Sequence, residues 1–269
     1  MALTPIQRDV CRLLAESRVA SGESYVAGGV ALNELLAAPR LSRDIDLFHD
    51  TDEALRSSWE SDRTLLVARG FTVAVIRERP TFVEAQVAKG VDTVLVEWAR
   101  DSAYRFFPLV QHADLGLVLH PFDLATNKVL ALVGRLEPRD WIDVITCDER
   151  LQPLGYLAWA ACGKDPGFTP QGILDEAARS GRYSAEEIGA LDFAQAPPDV
   201  RALSRRWHEM LAEAQRIVAR LPPEEIGRCV FTETGALCRS DSASLTRALG
   251  EGTLRFHAGS IRGAFPRVR

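Results

Sequence analysis

The residues of this chain best suited to chemistry are a glycine pair, Gly28-Gly29, followed by two acids, Asp44 and Asp46. The acids lie in Leu41-Ser-Arg-Asp-Ile-Asp-Leu-Phe48, where Leu41, Arg43, Ile45 and Leu47 alternate with Ser42, Asp44, Asp46 and Phe48. That is a strand period, and two carboxylates at i and i+2 of a strand project from one face. Held side by side they repel each other, and a shared divalent cation relieves the repulsion. The glycine pair follows the strand-like Ser24-Tyr-Val-Ala27 and precedes a helix-compatible run from Val30 to Ala37. Bare backbone N–H groups at such a corner can cradle a polyphosphate, although a glycine pair alone equally serves a plain turn. A pair of metals calls for a third carboxylate from a neighbouring strand, and Val94-Leu-Val-Glu-Trp98 offers Glu97 in an otherwise apolar run. An edge-strand acid facing solvent is the other reading of Glu97.

The flanking pattern supplies elements to hold these residues. Residues 1–20 read as an amphipathic helix with Thr4 as N-cap and Pro5 at the first helical position, and residues 51–69 as an acidic helix that Gly70 ends. Three β-branched or aromatic runs follow, Phe71 to Arg77, Thr81 to Ala88 and Thr93 to Trp98, so the sheet is small and mixed. Asp123 is expected to cap a helix running to about Val133 with Gly134 as its stop, and Pro138 to open another through Ile145. Lys128 falls inside the first of these, its stem flanked by Leu124, Val129, Leu130 and Leu132. Arg139, Asp140 and Asp143 begin the second, where Arg139 and Asp143 at i, i+4 read as a surface pair. Beyond residue 150 strand signals nearly vanish, and helical patterns cover residues 151–162, 170–180, 199–220 and 242–249. The expectation is an α+β fold: a small mixed β-sheet core with flanking helices over residues 1–150, then a mostly α-helical C-terminal unit over 151–269.

Composition narrows the function classes. With 269 residues, 46% hydrophobic and 26% charged, the chain is an ordinary globular protein, which excludes disorder, collagen-like repeats and a disulfide scaffold. Its five cysteines show no CxxC spacing and its five histidines no HxxxH, so no zinc site is indicated. Gly163-Lys-Asp-Pro-Gly167 lacks the phosphate-loop pattern and reads as a loop, while Trp141, Trp159 and Trp207 read as core. No apolar run reaches the roughly 20 residues that cross a bilayer, and the N-terminus lacks a signal peptide's apolar region, which predicts a cytoplasmic protein away from membranes. The formal charge of −5 opposes bulk binding to nucleic acid, yet the segment from Thr253 to Arg269 carries Arg255, Arg262, Arg267 and Arg269 with no acid. Arg201, Arg205, Arg206, Arg216 and Arg220 crowd one helix, either to meet a phosphate backbone or to pair with Glu209 and Glu213.

Several of these motifs in this order resemble a known family. Tyr25-Val-Ala-Gly-Gly-Val-Ala-Leu32, Arg43-Asp-Ile-Asp-Leu47, Asp123-Leu-Ala-Thr-Asn-Lys128 and Arg139-Asp-Trp-Ile-Asp-Val144 look like the nucleotidyltransferases of the abortive-infection toxin group (AbiEii/AbiGii-like), within the DNA polymerase β-like superfamily. The resemblance covers roughly residues 20–147. It implies that Asp44, Asp46 and Glu97 bind magnesium, or manganese in its place, and that a nucleoside triphosphate is the substrate. It also implies two-metal nucleotidyl transfer with attack at the α-phosphate. Gly28, Gly29, Ser42, Arg43 and Lys128 are then candidates to bind the nucleotide, with Lys128 on the triphosphate. Asp140 is the candidate to position Lys128 or the acceptor, ahead of Asp143. The wider superfamily usually has Gly-Ser where this chain has Gly28-Gly29, and Ser42 is the candidate to supply the missing hydroxyl. The third acid is Glu where Asp is more usual.

The acceptor implied by toxin relatives is RNA, the 3′ end of tRNA in particular, within a toxin–antitoxin or phage-defence system that can include an antitoxin protein. Two other readings stay open. The acidic charge and 7% aromatic content suit transfer to a protein or small molecule. Gly29 and Glu97, as departures from the superfamily pattern, suit a catalytically silent module that binds a nucleotide or partner.

Overall fold

Thr4 opens the first helix, α1 (Pro5–Ser21), by a reciprocal cap in which its hydroxyl accepts from the Gln7 N–H while the Gln7 side chain accepts from the Thr4 N–H. The computed structural model describes residues 3–266. The chain divides into two units, Met1–Ala103 with Pro108–His120, and Tyr104–Phe107 with Pro121–Arg269.

In the first unit α1 is followed by β1 (Ser24–Ala27), α2 (Gly28–Leu35), β2 (Asp44–His49) and α3 (Asp52–Ala68), the last capped by the Thr51 hydroxyl. Then come β3 (Thr72–Arg79), β4 (Phe82–Lys89) and β5 (Asp92–Arg100). Past β6 (Tyr104–Arg105), which belongs to the second unit, β7 (Val110–His112) and β8 (Gly116–Val118) return to the first. Seven strands form one sheet in the order β3-β4-β5-β2-β1-β8-β7. The β2–β5 and β1–β8 pairs run parallel and the others antiparallel, so the sheet is mixed, as expected, and larger than the sequence signals suggested. Alternation along the strands buries Ile45, Leu47, Val96 and Trp98 on one face. There α3 packs, with the Trp59 ring 4.8 Å from that of Trp98 and the Asp62 carboxylate accepting from Trp98 Nε1 at 2.9 Å. The opposite face of the same strands carries Asp44, Asp46, Glu84 and Glu97, all half-buried.

The second unit holds α4 (Pro121–Arg135), α5 (Pro138–Arg150), α6 (Leu154–Ala161), α7 (Pro170–Ala177), α8 (Ala185–Gly189), α9 (Val200–Val218) and α10 (Ser242–Gly250). Its core gathers Tyr156, Trp159, Ile217, Leu221, Val230 and Leu245. Trp141 and Trp207 are also fully buried, and all five cysteines are buried thiols, as their patterns suggested. Three strands join the helices of this mostly α-helical unit: β9 (Arg228–Thr232) pairs antiparallel with β10 (Leu254–Ala258), and β11 (Ser260–Ile261) with β6. β11 is too short to show a period of two, and β9 and β10 do not alternate between buried and exposed positions.

Two expected helix boundaries also shift. Gly134 lies inside α4, which continues to Arg135 before Leu136 takes φ of 52°. Asp123 sits within the first turn of α4 rather than capping it. It is fully buried, accepts from the N–H groups of Phe106 and Phe107 at 2.8 and 3.0 Å, and pairs with Lys164 at 2.9 Å. The structure groups α4 and α5 with the later helices, whereas the sequence-based division at residue 150 placed them with the sheet. Among the described residues no helix is long and apolar enough to cross a membrane.

Candidate active site

The first unit assembles its polar residues by sheet register. Asp44 and Asp46 stand two apart on β2; Asp46 lies opposite Ala27 on β1 and opposite Glu97 on β5, and Glu97 lies opposite Glu84 on β4. Adjacent strands are about 4.8 Å apart, so Glu84, Glu97 and Asp46 form a row of carboxylates across the sheet, flanked by Asp44. Glu84 also faces Arg77, at 3.8 Å.

Gly28 takes φ of 63°, and a Cβ built there would fall 1.6 Å from Asp46 Oδ2. The Asp46 carboxylate therefore lies over the Gly28 backbone, in space that only a glycine leaves open. At Gly29 a Cβ would meet Ser42 Oγ at 2.6 Å and the Arg40 guanidinium at 2.7 Å. The volume a serine side chain would fill is thus taken by the Ser42 hydroxyl and by Arg40. Both are buried, Arg40 donating to the Leu41 carbonyl at 3.0 Å, and the Ser42 carbonyl is tied to α1 through Gln7 Nε2 at 2.7 Å. Arg40 was not among the sequence candidates, because an arginine in a loop shows no periodicity that would reveal its inward turn. Arg43, just before β2, is exposed.

The donor set suits a hard cation. Among the described residues no three His, Cys, Asp or Glu side chains close into a complete metal cage. Magnesium takes one or two carboxylates and completes its shell with phosphate oxygens and water, and the Asp44–Asp46 pair supplies the carboxylates.

In the second unit, Lys128 on α4 is 8% exposed, with Nζ 3.1 Å from Asp140 Oδ1 and 3.1 Å from Asp143 Oδ2. Asp140 is fully buried and also accepts from Arg135 Nε and Nη2, at 2.6 and 2.9 Å. Burial alone would raise the Asp140 pKa, but the Arg135 hydrogen bond and the charges of Lys128 and Arg135 outweigh it and hold the carboxyl below its ordinary value. Asp143, expected in a surface pair with Arg139, is buried at 1% exposure. Residues 140 and 143 share the inner face of α5, so Asp143 meets Lys128, and Arg139 pairs with Glu137 at 2.6 Å. Lys164, in the loop after α6, is taken up by Asp123 and Asn127. On α9, Arg206 pairs with Asp148 and Arg216 with Glu213, so these two serve the unit's own packing.

The family model for the nucleotidyl transferase AbiEii toxin of type IV toxin–antitoxin systems matches residues 12–216. No curated protein sequence matches the chain. Among solved structures, the nucleotidyltransferase toxin MenT4 from Mycobacterium tuberculosis H37Rv is 16% identical, aligns over 80% of this chain and 83% of its own, and has a TM-score of 0.50. JHP933 from Helicobacter pylori is 16% identical, over 79% and 90% of the two chains, with a TM-score of 0.50. At such identities the likeness is one of fold.

Proposed function

The chain belongs to the AbiEii nucleotidyltransferase toxin family of type IV toxin–antitoxin systems, and from that premise we propose a cytoplasmic, magnesium-dependent enzyme that moves a nucleoside monophosphate from an NTP to an RNA acceptor, foremost the 3′ end of tRNA. The observation that carries the proposal is the pair Asp44 and Asp46 on one face of β2, with the Asp46 carboxylate laid over Gly28 at the start of α2.

In this reading residues 1–150 carry the catalytic groups and residues 151–269 present the acceptor. Asp44 and Asp46 hold the cation, and Glu97, opposite Asp46 on the neighbouring strand, adds negative charge beside it. Magnesium supplies Lewis acidity that activates the acceptor hydroxyl and offsets charge on the triphosphate. The backbone N–H groups around Gly28-Gly29 receive phosphate oxygens, helped by the α2 dipole. Ser42 supplies the hydroxyl that Gly29 lacks and Arg40 adds a guanidinium beside it, which supports an active site over a silent module. Arg43 offsets the charge of the adjacent acids. Lys128 is assigned to the triphosphate, its ammonium fixed by Asp140 and Asp143. The acceptor oxygen bonds to the α-phosphorus, the bond to the β-phosphate oxygen breaks, pyrophosphate leaves, and the hydroxyl proton passes to solvent.

Incubation of the protein with α-labelled NTPs and total RNA should label RNA only when magnesium is present, and Asp44→Ala or Asp46→Ala should abolish the label. Labelling that survives in both variants would remove these carboxylates from the mechanism. Product that resists nuclease but not protease would move the acceptor from RNA to protein.

A further inference from the structure

On one face of the β9/β10 ribbon, Phe231 lies directly across from Arg255, and His257 follows two residues on. With Phe265 and Glu233 they line a cavity of about 670 Å³, within the range of small-molecule pockets. Its floor is aromatic. Phe231 is buried, its ring centre is 6.2 Å from that of His257, and Phe107 backs both at 5.7 and 5.5 Å. The rim carries an ion pair: Arg255 is braced by the carbonyls of Gly252 and Leu254 and paired with Glu233 at 3.1 Å, an exposed pair that a phosphate can replace.

Phe265 is 67% exposed yet held in place, since the preceding Ala264 N–H donates to the Phe106 carbonyl at 3.2 Å. The same carbonyl accepts from His257 Nε2 at 2.8 Å. A carbonyl only accepts, so Nε2 carries a proton and donates it there, which leaves Nδ1 as the ring nitrogen outside this bond.

An exposed ring beside an aromatic floor, a guanidinium at the rim and an imidazole edge match the parts of a nucleotide: a stacked base, a phosphate, and the polar edge of the base. An apolar peptide would make no use of the Arg255 guanidinium and an acidic peptide would leave the rings unused. From Thr253 onward the sequence holds four arginines and no acid, which favours a phosphate-bearing ligand. We infer that this cavity receives a nucleotide of a single-stranded RNA end, its base against Phe265 and its phosphate on Arg255. The inference rests on the RNA-acceptor reading above.

The test is fluorescence anisotropy of a 5′-fluorescein-labelled RNA tetranucleotide with the full chain, without NTP or metal, so that it does not depend on Asp44 or Asp46. Phe265→Ala should weaken binding roughly five- to a hundredfold, the range that loss of one stacked base predicts, while Phe265→Trp should retain it. Arg255→Gln should weaken binding and flatten the dependence of log affinity on log salt by about 0.7, one phosphate's share for single strands. Unchanged affinity in both Phe265→Ala and Arg255→Gln would overturn the pocket. AMP binding as tightly as the tetranucleotide would overturn its assignment to a strand, and tighter binding of a polyglutamate peptide would overturn the nucleotide. Failure of the transfer reading has a different signature: tetranucleotide binding that these variants weaken, in a protein that labels no RNA.

Discussion

At the scale of single residues, the candidate site depends on what Gly28 and Gly29 leave empty. Gly28→Ala would place a methyl carbon in the Asp46 carboxylate and force a side chain into the left-handed region. Transfer should fall to background, and urea unfolding should show a loss of about 1–3 kcal/mol. Gly134→Ala is the contrasting control: a Cβ there meets nothing within 4 Å, so the helix should gain about 0.5–1 kcal/mol with transfer unchanged. Gly29→Ser tests whether Ser42 replaces the usual serine. A new hydroxyl there competes with Ser42 Oγ and Arg40, both movable side chains, so the fold should survive while KM for NTP rises. The double variant Gly29→Ser/Ser42→Ala should recover much of that loss; a lower KM in the single variant would show that Ser42 does not fill the role.

Lys128 poses the residue-scale question in the second unit. Removing one member of a buried ion pair strands its partners, so Asp140→Asn should cost about 3–5 kcal/mol by denaturant unfolding. The sign with pH follows from the depressed Asp140 pKa. Its contribution is complete above the ordinary carboxylate range and fades as pH falls through the folded value, so the gap between wild type and Asp140→Asn should narrow in acid. Asp44, Asp46 and Lys128 were legible because period two and the motif order mark them. Arg40, Asp123 and Lys164 were not, since each gains its role from a loop position or a contact far away in sequence.

At the scale of elements, caps and alternation carried the reading where they were present. Thr4 with Gln7 and the Thr51 hydroxyl start α1 and α3 where expected, and the alternation from Asp44 defines β2. Strands of two to five residues such as β6, β9 and β11 exist because distant segments meet, and local sequence holds no trace of that. The same strand that presents the acids also buries His49, whose Nδ1 lies 3.3 Å from the Ala99 carbonyl. Burial, with the Arg18 charge adding to it, lowers His49 from 6.5 to about 4 against the opposing pull of Ala99 and Asp50. The unfolded chain therefore takes up this proton first as pH falls below 6.5. Stability should drop between pH 6.5 and 4, by roughly 3 kcal/mol at the most for a shift of that size. Asp62, raised by burial despite Arg18 and Trp98, contributes a slope of opposite sign near the lower limit. The His49 share is thus read as the difference between the wild-type curve and that of His49→Gln; parallel curves over this range would reject it.

At the scale of the whole molecule, the question is how a chain of net charge −5 would bind the RNA acceptor proposed for it. Bulk attraction is absent, so phosphate binding must come from local basic segments. The α9 arginines are poor candidates where Arg206 and Arg216 are already spent on Asp148 and Glu213. The run from Thr253 holds no acid of its own; Arg255 lies at the cavity rim in a pair with Glu233 that is exposed on both sides and therefore weak. Arg262 follows β11, and Arg267 and Arg269 lie outside the described residues. Replacing Arg262, Arg267 and Arg269 with Gln removes three positive charges while leaving every acid of the first unit in place. Acceptor KM should therefore rise and its salt slope should flatten by up to about 2, at about 0.7 for each phosphate that is no longer neutralised. NTP affinity, measured by calorimetry with magnesium, should stay the same, because the triphosphate is assigned to other residues. Equal acceptor kinetics for the triple variant and wild type across 50–300 mM salt, on the order of a sixfold range that would reveal even one phosphate left without its arginine, would remove the C-terminal arginines from acceptor binding.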